Sequence, residues 1–569
     1  MNVFQKNERL SRRSMRSIFP AALLAIGLQA CHFQSEKVDQ IIHNGTILTL
    51  NASSEVVQAI AIRDGKVVDV GPDRYILNKY GSSQSIDLKG GVLTPGLMDG
   101  HAHLVGYADG LLEANLVGTK SWEEVVAKTL AHQRQKPFDW VLGRGWDQND
   151  WSNPEFPHRR ELDLVFPDVP VALERIDGHA VILNQKALEV CGIWEAFEKG
   201  NGMTVEGGEI VLGDDGFPSG LLIDQACELI GPFRPKRNLE DRNLVLLEAQ
   251  DSLFRHGITG VCDAGLQPEE IMRIEALHNA GELKLRVNAM VSASDTNIDW
   301  LIERGGVKTE RLVVGSVKFY MDGALGSRGA LLLQPYSDRM NWTGLVTQDM
   351  DRFKDQLIRL HDHNFQAATH CIGDSAVRQV LRLYGELLGG VTDRRWRIEH
   401  AQVVHGSDLD LFGTYAVIPS VQPTHATSDM YWAGERLGRN RIRRAYAYQD
   451  LWKQLRFLTL GTDFPVEDID PRKTFLASTG RVDSRGFPDG GFQSENALTA
   501  DQTLRGMTQG VAIAQFQEDE LGTIEPGKWA DFTWMDRNWL EVKTDQILET
   551  RILGTCIAGE WVYLEQSNE

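Results

Sequence analysis

The sequence has few basic residues, few cysteines and no long apolar run, and each shortage argues against a class of protein. Its 569 residues include 59 Lys and Arg against 79 Asp and Glu, a formal net charge of −20. No basic surplus is left to neutralise phosphates, so a nucleic-acid partner is not expected. The six cysteines include no C-x-x-C pair, which argues against a disulfide framework and against a thiolate zinc site. The rest of the composition, 42% hydrophobic and 24% charged, is that of an ordinary soluble globular protein.

The first thirty residues differ in character from the rest of the chain. Four arginines between positions 9 and 16 precede an apolar run over 18–30, which suits a signal peptide and is too short to span a bilayer. The run ends at Leu28-Gln29-Ala30-Cys31, which resembles a lipobox. We therefore expect residues 1–30 to be removed from an exported bacterial protein, with a lipid on Cys31 as its membrane anchor. Simple signal cleavage to a periplasmic protein is the alternative, and Sec or twin-arginine export stays open.

Both ends of the remaining chain have the alternating pattern of β-hairpins. Apolar and polar residues alternate over 41–50 and 59–70, around Asn44-Gly45 and Asp64-Gly65, which is typical of tight hairpin turns. A similar β-rich pattern occurs near the C-terminus, over 531–535 and 551–564. Residues 31–91 and 515–569 are therefore predicted to form one small discontinuous β-domain.

The middle of the chain, residues 92–514, predicts an α/β fold. Short apolar runs alternate with stretches of helical period, and eight such runs occur, over 92–97, 258–263, 285–291, 312–321, 366–370, 396–400, 416–422 and 457–463. Eight βα units favour a closed (β/α)₈ TIM barrel. The gap after the first run is too long for one crossover helix, so residues 109–239 are predicted to be an insertion of mixed, partly loop-like character that forms a lid.

Candidate metal ligands lie where the predicted strands end. His101 and His103 follow the first run and a Pro-Gly turn, and residues i and i+2 of a strand point to the same side, so both imidazoles can reach one metal ion. Four more polar residues lie in or at the end of later runs, which a barrel would bring to the same mouth: Lys318, His370, His400 and Asp463. Four imidazoles and a carboxylate suit zinc, manganese or iron rather than calcium.

These stretches together resemble a known family. The segments are Pro95-Gly96-Leu97-Met98-Asp99-Gly100-His101-Ala102-His103, Val317-Lys318-Phe319-Tyr320-Met321-Asp322-Gly323, His370-Cys371-Ile372-Gly373-Asp374, Arg397-Ile398-Glu399-His400-Ala401-Gln402, Gly461-Thr462-Asp463-Phe464-Pro465 and Ile524-Glu525-Pro526-Gly527-Lys528-Trp529-Ala530-Asp531. In this order they resemble the amidohydrolase superfamily, specifically amidohydrolase family 3, which includes N-substituted formamide deformylases.

The resemblance implies a ligand set for two divalent metal ions, with zinc the first expectation and Mn²⁺ or Fe²⁺ the alternatives. His101 and His103 would bind the buried metal, and His370 and His400 the more exposed one. Lys318 would bridge both as a carbamate, and Asp463 would complete the site. The position of Lys318 in an apolar run agrees with this, because burial favours the neutral amine that reacts with carbon dioxide. Its alternatives are snorkelling to the barrel mouth or pairing with Asp322.

The implied activity is hydrolysis of a carbon–nitrogen bond in a small-molecule amide, an N-substituted formamide, another N-acyl compound or a cyclic amide, by a metal-bridging hydroxide. Asp463 would take the proton from the attacking group and return it to the leaving nitrogen. His179, in the predicted insertion, would contact the substrate or serve a structural hydrogen bond. His425 could line the pocket.

Two other functions are compatible with these residues. A deaminase or an ester or lactone hydrolase could use the same site, although deaminases of the superfamily typically use one metal and lack the lysine. A non-catalytic lipid-anchored binding protein would be expected to have lost a ligand, and none is missing. The substrate, the metal and the oligomeric state stay open, with a homodimer as one alternative.

Overall fold

The computed structural model describes residues 35–135, 137–153, 155–176, 180–205, 208–235 and 238–566. At its centre lie eight parallel strands, hydrogen-bonded in sequence order. Their bounds are β1 Leu97–Ala102, β2 Ile258–Leu266, β3 Arg286–Ser292, β4 Leu312–Tyr320, β5 Gln366–Cys371, β6 Arg397–His400, β7 Ile418–Val421 and β8 Thr459–Leu460. The two-residue strand Val307–Lys308 pairs antiparallel with Val313 and Val314, near the start of β4.

The sheet closes on itself just beyond the end of β8. The Asp463 N–H donates to the His101 carbonyl and the His103 N–H to the Phe464 carbonyl, both at 2.8 Å. The buried Asp99 carboxylate also accepts from the Thr462 hydroxyl at 2.7 Å. Burial raises the pKa of Asp99 to about 7, against the bonds from Thr462 and His101. The predicted TIM barrel is thus confirmed, and its closure joins the two chain segments that carry candidate ligands.

Helices cover the outside of the barrel and bury their apolar faces against the strands. The helix before β2 is Leu239–Arg255, and Asn238 caps it by accepting from the Asp241 N–H. The helices after β2 to β8 are Pro268–Asn279, Asp295–Arg304, Met350–Asp362, Asp374–Leu388, Leu409–Tyr415, Pro423–Asp429, Ala433–Arg441, Tyr448–Leu455, Pro471–Gly480, Ala500–Gly506 and Gln509–Ala514, with 3₁₀ turns at Ile442–Arg444 and Ser494–Asn496.

Strands from both ends of the chain build two small sheets beside the barrel. One contains Lys66–Gly71, Ala59–Arg63, Gln40–His43 and Gln84–Asp87, and the other contains Glu560–Leu564, Ile552–Ile557, Phe532–Met535, Val92–Pro95, Thr46–Leu48 and Val56–Val57. The helix Asp73–Lys79, the 3₁₀ turn Thr544–Glu549 and the short parallel pair Glu36–Lys37 and Tyr80–Gly81 complete this region. A buried ion pair between Arg286 Nε and Asp531 Oδ2, at 2.5 Å, ties it to β3.

One expected barrel strand belongs to this region instead. The run over 92–97 was predicted to be the first barrel strand, yet Val92–Pro95 pairs antiparallel with Phe532–Met535 and parallel with Thr46–Leu48. The barrel strand begins at Leu97. Gly96 lies between the two strands, where the chain leaves one sheet and enters the other. The chain passes so close to the neighbouring strand here that a Cβ would lie 2.3 Å from the Thr259 hydroxyl oxygen.

The segment between β1 and β2 contains more regular structure than its sequence predicted. After the helix Leu104–Gly110, six strands form one sheet in the order Ala114–Asn115, Val141–Trp146, Val171–Arg175, Ala180–Leu183, Pro218–Asp224 and Gly208–Leu212. Its helices are Trp122–Gln135, Arg160–Val165, Gln185–Val190 and Ile193–Glu198, with 3₁₀ turns at Gln148–Asp150 and Gln225–Phe233. Two apolar clusters cover this sheet, and Trp146 and Trp151 pack in one of them with ring centroids 6.1 Å apart.

No helix within the described part of the chain is both long and apolar enough to cross a membrane. The predicted signal segment, 1–30, and Cys31 lie outside the described residues.

Candidate functional site

The end of β1 brings two imidazoles to the mouth of the barrel. His101 lies within the strand and is fully buried, whereas His103 follows it and its side chain is 30% exposed. Their ring centroids are 5.6 Å apart and nearly perpendicular. As the two-residue spacing predicts, both rings reach one partner, and Asp463 Oδ1 lies 3.6 Å from His101 Nε2 and 3.1 Å from His103 Nε2.

Lys318, in β4, also lies beside the group formed by His101, His103 and Asp463. Its side chain is buried, with 1% of the residue exposed, and the Nζ lies 3.3 Å from His101 Nε2 and 4.7 Å above the Tyr320 ring. Burial lowers the pKa of Lys318, opposed by the nearby carboxylates of Glu399 and Asp463. A buried amine without full charge compensation favours its neutral form.

His370 and His400, at the ends of β5 and β6, form the opposite side of the cluster. Their ring centroids are 4.5 Å apart, and the His400 ring is 4.9 Å from that of His101. His400 has a positive φ of 71°, and its Nδ1 lies 2.8 Å from the Gln422 side-chain oxygen. His370 Nε2 is buried and makes no hydrogen bond of good geometry, and Asp322 Oδ1 lies 3.7 Å from it.

Asp463 lies at the centre of the group, just after β8. Its carboxylate faces His101 and His103 through Oδ1, while Oδ2 lies 3.2 Å from His425 Nε2 and 4.0 Å from His400 Nδ1. The residue has a φ of 66°, a left-handed conformation that Asp tolerates better than most residues. Burial would raise the pKa of this carboxyl, but the contacts with His103 and His425 hold it well below its ordinary value.

The protonation states fit metal ligation. Burial, together with the nearby Lys318, lowers the pKa of His101 to about 4 and that of His370 to about 3. Burial also lowers the pKa of His400 well below its ordinary value, helped by His370. Neutral imidazoles and an ionised carboxylate are the forms that bind metal ions.

The donor atoms also have the spacing of a metal site. His101, His103 and Asp463 offer three ligand atoms within 4.8 Å of one another, and so do His400, His425 and Asp463. The buried Asp463 Oδ1 makes no hydrogen bond of good geometry, and neither does His370 Nε2. Burying an unsatisfied polar atom is costly, and a cation beside Asp463 would satisfy its Oδ1 atom.

The model of the amidohydrolase family matches residues 84–563, most of the chain. The chain belongs to the amidohydrolase family. This amidohydrolase is 30% identical over 512 residues to the Arabidopsis thaliana protein LONG AFTER FAR-RED 3. The match covers 87% of this chain and 86% of the relative. It is 24% identical over 519 residues to an N-substituted formamide deformylase of Arthrobacter pascens, covering 87% of this chain and 92% of the deformylase.

A solved structure with the same fold is an uncharacterized metal-dependent hydrolase of Pyrococcus horikoshii OT3. It superposes with a TM-score of 0.74 at 27% identity, covering 89% of this chain and 99% of that one. The predicted resemblance is thus confirmed, and the protein is a member of the metal-dependent amidohydrolase superfamily.

The fold of this amidohydrolase adds further residues to the six candidate ligands. His425, in the helix Pro423–Asp429, contacts both Asp463 and Glu467, each at 3.2 Å. Burial would lower the pKa of His425, but these two carboxylates raise it well above its ordinary value. Its position directly after the seventh apolar run was the available signal.

A second addition is the buried pair Arg397 and Glu399, in β6. Glu399 Oε2 lies 2.6 Å from His101 Nδ1. Regular alternation along β6 would place residue 399 on the opposite face from His400, but the φ of 71° at His400 breaks this alternation and both side chains reach His101. His179, predicted to contact the substrate, lies outside the described residues.

Proposed function

We propose that this amidohydrolase hydrolyses the carbon–nitrogen bond of a small amide at a centre of two divalent metal ions. The observation that carries the proposal is the convergence of six side chains from β1, β4, β5, β6 and the end of β8 in one cluster, where the buried Asp463 Oδ1 makes no hydrogen bond of good geometry. The six are those predicted from the sequence: His101, His103, Lys318, His370, His400 and Asp463.

Two positions are proposed in this cluster. His101 and His103 would hold the first ion, and His370 and His400 the second, with Asp463 beside the first. Zinc is the proposed metal because imidazole and carboxylate ligands suit it, and Mn²⁺ or Fe²⁺ are alternatives. Bound divalent metals supply Lewis acidity, polarising a carbonyl and making water more acidic.

Lys318 is proposed to be carboxylated. Its neutral amine would add to carbon dioxide with loss of one proton, giving an anionic carbamate that would serve as a ligand for both metal positions. Two observations support this over the alternatives. The side chain is buried rather than extended to solvent, and the Asp322 carboxylate already accepts hydrogen bonds from the backbone N–H groups of Leu331, Ile372 and Gly373. Pairing between Lys318 and Asp322 is therefore not needed.

Asp463 is proposed to move the proton. Its carboxylate is ionised and next to the cluster, so it can accept a proton from the attacking water and deliver it to the leaving nitrogen. His425, on the Oδ2 side, orients this carboxylate. The role requires that Asp463 stay ionised in the resting enzyme, in keeping with its low pKa.

The amide class is supported by the deformylase of Arthrobacter pascens among the relatives. The test is a hydrolysis screen of protein reconstituted with zinc and bicarbonate, using N-formyl, N-acyl and cyclic amides, with esters and lactones alongside. We expect close to two zinc ions per chain and turnover of at least one amide group. Full metal loading with turnover of esters or lactones alone would refute the amide assignment. Zero or one zinc would refute the binuclear centre.

We further propose that the protein is exported and held at a bacterial membrane by a lipid on Cys31. The support is the lipobox-like end of the leader.

A further inference from the structure

His101 has a charged partner on the side that faces away from the cluster. Its Nδ1 lies 2.6 Å from Glu399 Oε2, and both side chains are fully buried. With Nδ1–H donating to the carboxylate, the ring is held in the tautomer whose Nε2 lone pair faces Lys318 and Asp463. A carboxylate in this position also makes the imidazole a stronger ligand.

Glu399 is itself held on its other side. The guanidinium of Arg397 lies 2.7 Å from Glu399 Oε1 through Nε, and its Nη2 lies 3.2 Å from Oε2. The same Nη2 donates to the Gly100 carbonyl at 2.7 Å and to the Ser420 hydroxyl at 2.8 Å. A buried guanidinium joined to β1 and β7 therefore holds the carboxylate in one orientation.

His400, on the other side of the cluster, has a neutral partner. Its Nδ1 lies 2.8 Å from the amide oxygen of Gln422, and the Gln422 backbone carbonyl accepts from the Tyr448 hydroxyl at 3.0 Å. Gln422 thus fixes the ring by a hydrogen bond but brings no charge. The hydrogen-bond partners of these two imidazoles differ in charge, which bears on affinity: a carboxylate bonds to His101 and an amide to His400.

We propose that Glu399 is a positioning residue that makes the His101 side of the centre its tight metal position, and that the His400 side is the weaker one because Gln422 is neutral. The inference rests on the proposed function, since it needs two metal positions. A purely structural role would require no link to His101. Buried Arg–Glu pairs are on average weak contributors to stability, and the 2.6 Å contact with the imidazole gives this pair another use.

The experiment measures zinc affinity, independently of turnover. Metal-free full-length protein is titrated with zinc against a chromogenic chelator, which resolves a tight and a weak step, and His370→Ala identifies the weak one. Glu399→Gln keeps the shape and an acceptor oxygen for His101 but removes the charge. We expect it to weaken the tight step by about 10–100-fold, the usual cost of losing an outer partner of a ligand, and to leave the weak step unchanged.

Two further variants keep the test decisive. If Glu399→Gln does not fold, because Arg397 is left buried without its counter-charge, the double variant Arg397→Gln with Glu399→Gln removes both charges and should weaken the same step. Gln422→Glu is the reciprocal change and should tighten the weak step by about tenfold.

A tight step unchanged in the folded Glu399 variant, or both steps weakened equally, would overturn this inference while leaving the two-metal centre in place. Wild-type protein that takes up no zinc would overturn both proposals together.

Discussion

Replacing Asp463 with Asn removes the proposed proton carrier with little change of shape. Oδ1 lies 3.1 Å from His103 Nε2 and Oδ2 lies 3.2 Å from His425 Nε2, so an amide of the same size can occupy the same space. The φ of 66° is as well tolerated by Asn as by Asp. The Asp463 N–H bond to the His101 carbonyl is kept, because it is a backbone bond. We therefore expect the barrel to close as in the wild type.

The loss of activity is expected to be large, because an amide neither accepts nor delivers the proton. Positioned acid–base groups contribute about 10²–10⁴-fold to rate, and each tenfold corresponds to about 1.4 kcal/mol of activation free energy. The expected penalty is therefore about 3–5 kcal/mol, seen as a fall in turnover of at least about 100-fold. Substrate binding should change much less.

The measurement is turnover at saturating amide, with zinc content determined on the same samples. Asp468→Asn is the matched control, since this carboxylate lies five residues on and bonds to Lys473 rather than to the cluster. We expect the control to keep wild-type turnover. Turnover of Asp463→Asn within a few-fold of the wild type, at equal zinc content, would remove Asp463 from the mechanism.

Three further predictions concern Lys318, Cys31 and the stability of the metal-free protein. Lys318→Ala should abolish activity, with partial rescue by a short-chain carboxylic acid that replaces the carbamate; full activity without added acid would refute carboxylation. Cys31→Ser should move the protein from the membrane fraction to the soluble periplasmic fraction; wild-type protein that is already soluble would refute the lipid anchor. In the metal-free protein, the contribution of His370 to stability should be lost as pH falls from about 6.5, because its folded pKa is lowered to about 3 and only the unfolded chain takes up the proton. In chemical unfolding, His370→Gln should reduce the dependence of the unfolding free energy on pH by up to about 1.4 kcal/mol per pH unit. The control His363→Gln, at an exposed position, should leave this dependence unchanged. The same pH dependence in His370→Gln and in the wild type would contradict the prediction.

Much of the fold and of the candidate site was predictable because strand periodicity and strand ends are local properties of a chain. The barrel strands after the first lie close to their predicted runs, as with Gln366–Cys371 against 366–370. His101 and His103 share a partner because two-residue spacing puts them on one side of the chain. The six-stranded sheet between β1 and β2 was missed because its strands are short and mix apolar with polar residues, so helical and loop-like interpretations fitted equally well.

The sequence by itself determined the pattern of eight apolar runs and the six candidate ligands, because a run and the residue at its end are recognised from neighbours a few residues away. The assignment of Val92–Pro95 to a different sheet from Leu97–Ala102 was decided only by the tertiary structure, since its partners lie at Phe532–Met535. The same holds for Glu399, which meets His101 across 298 residues of chain. A carboxylate gains this role from burial and from the ring that β1 brings beside it, and both arise only when the barrel closes.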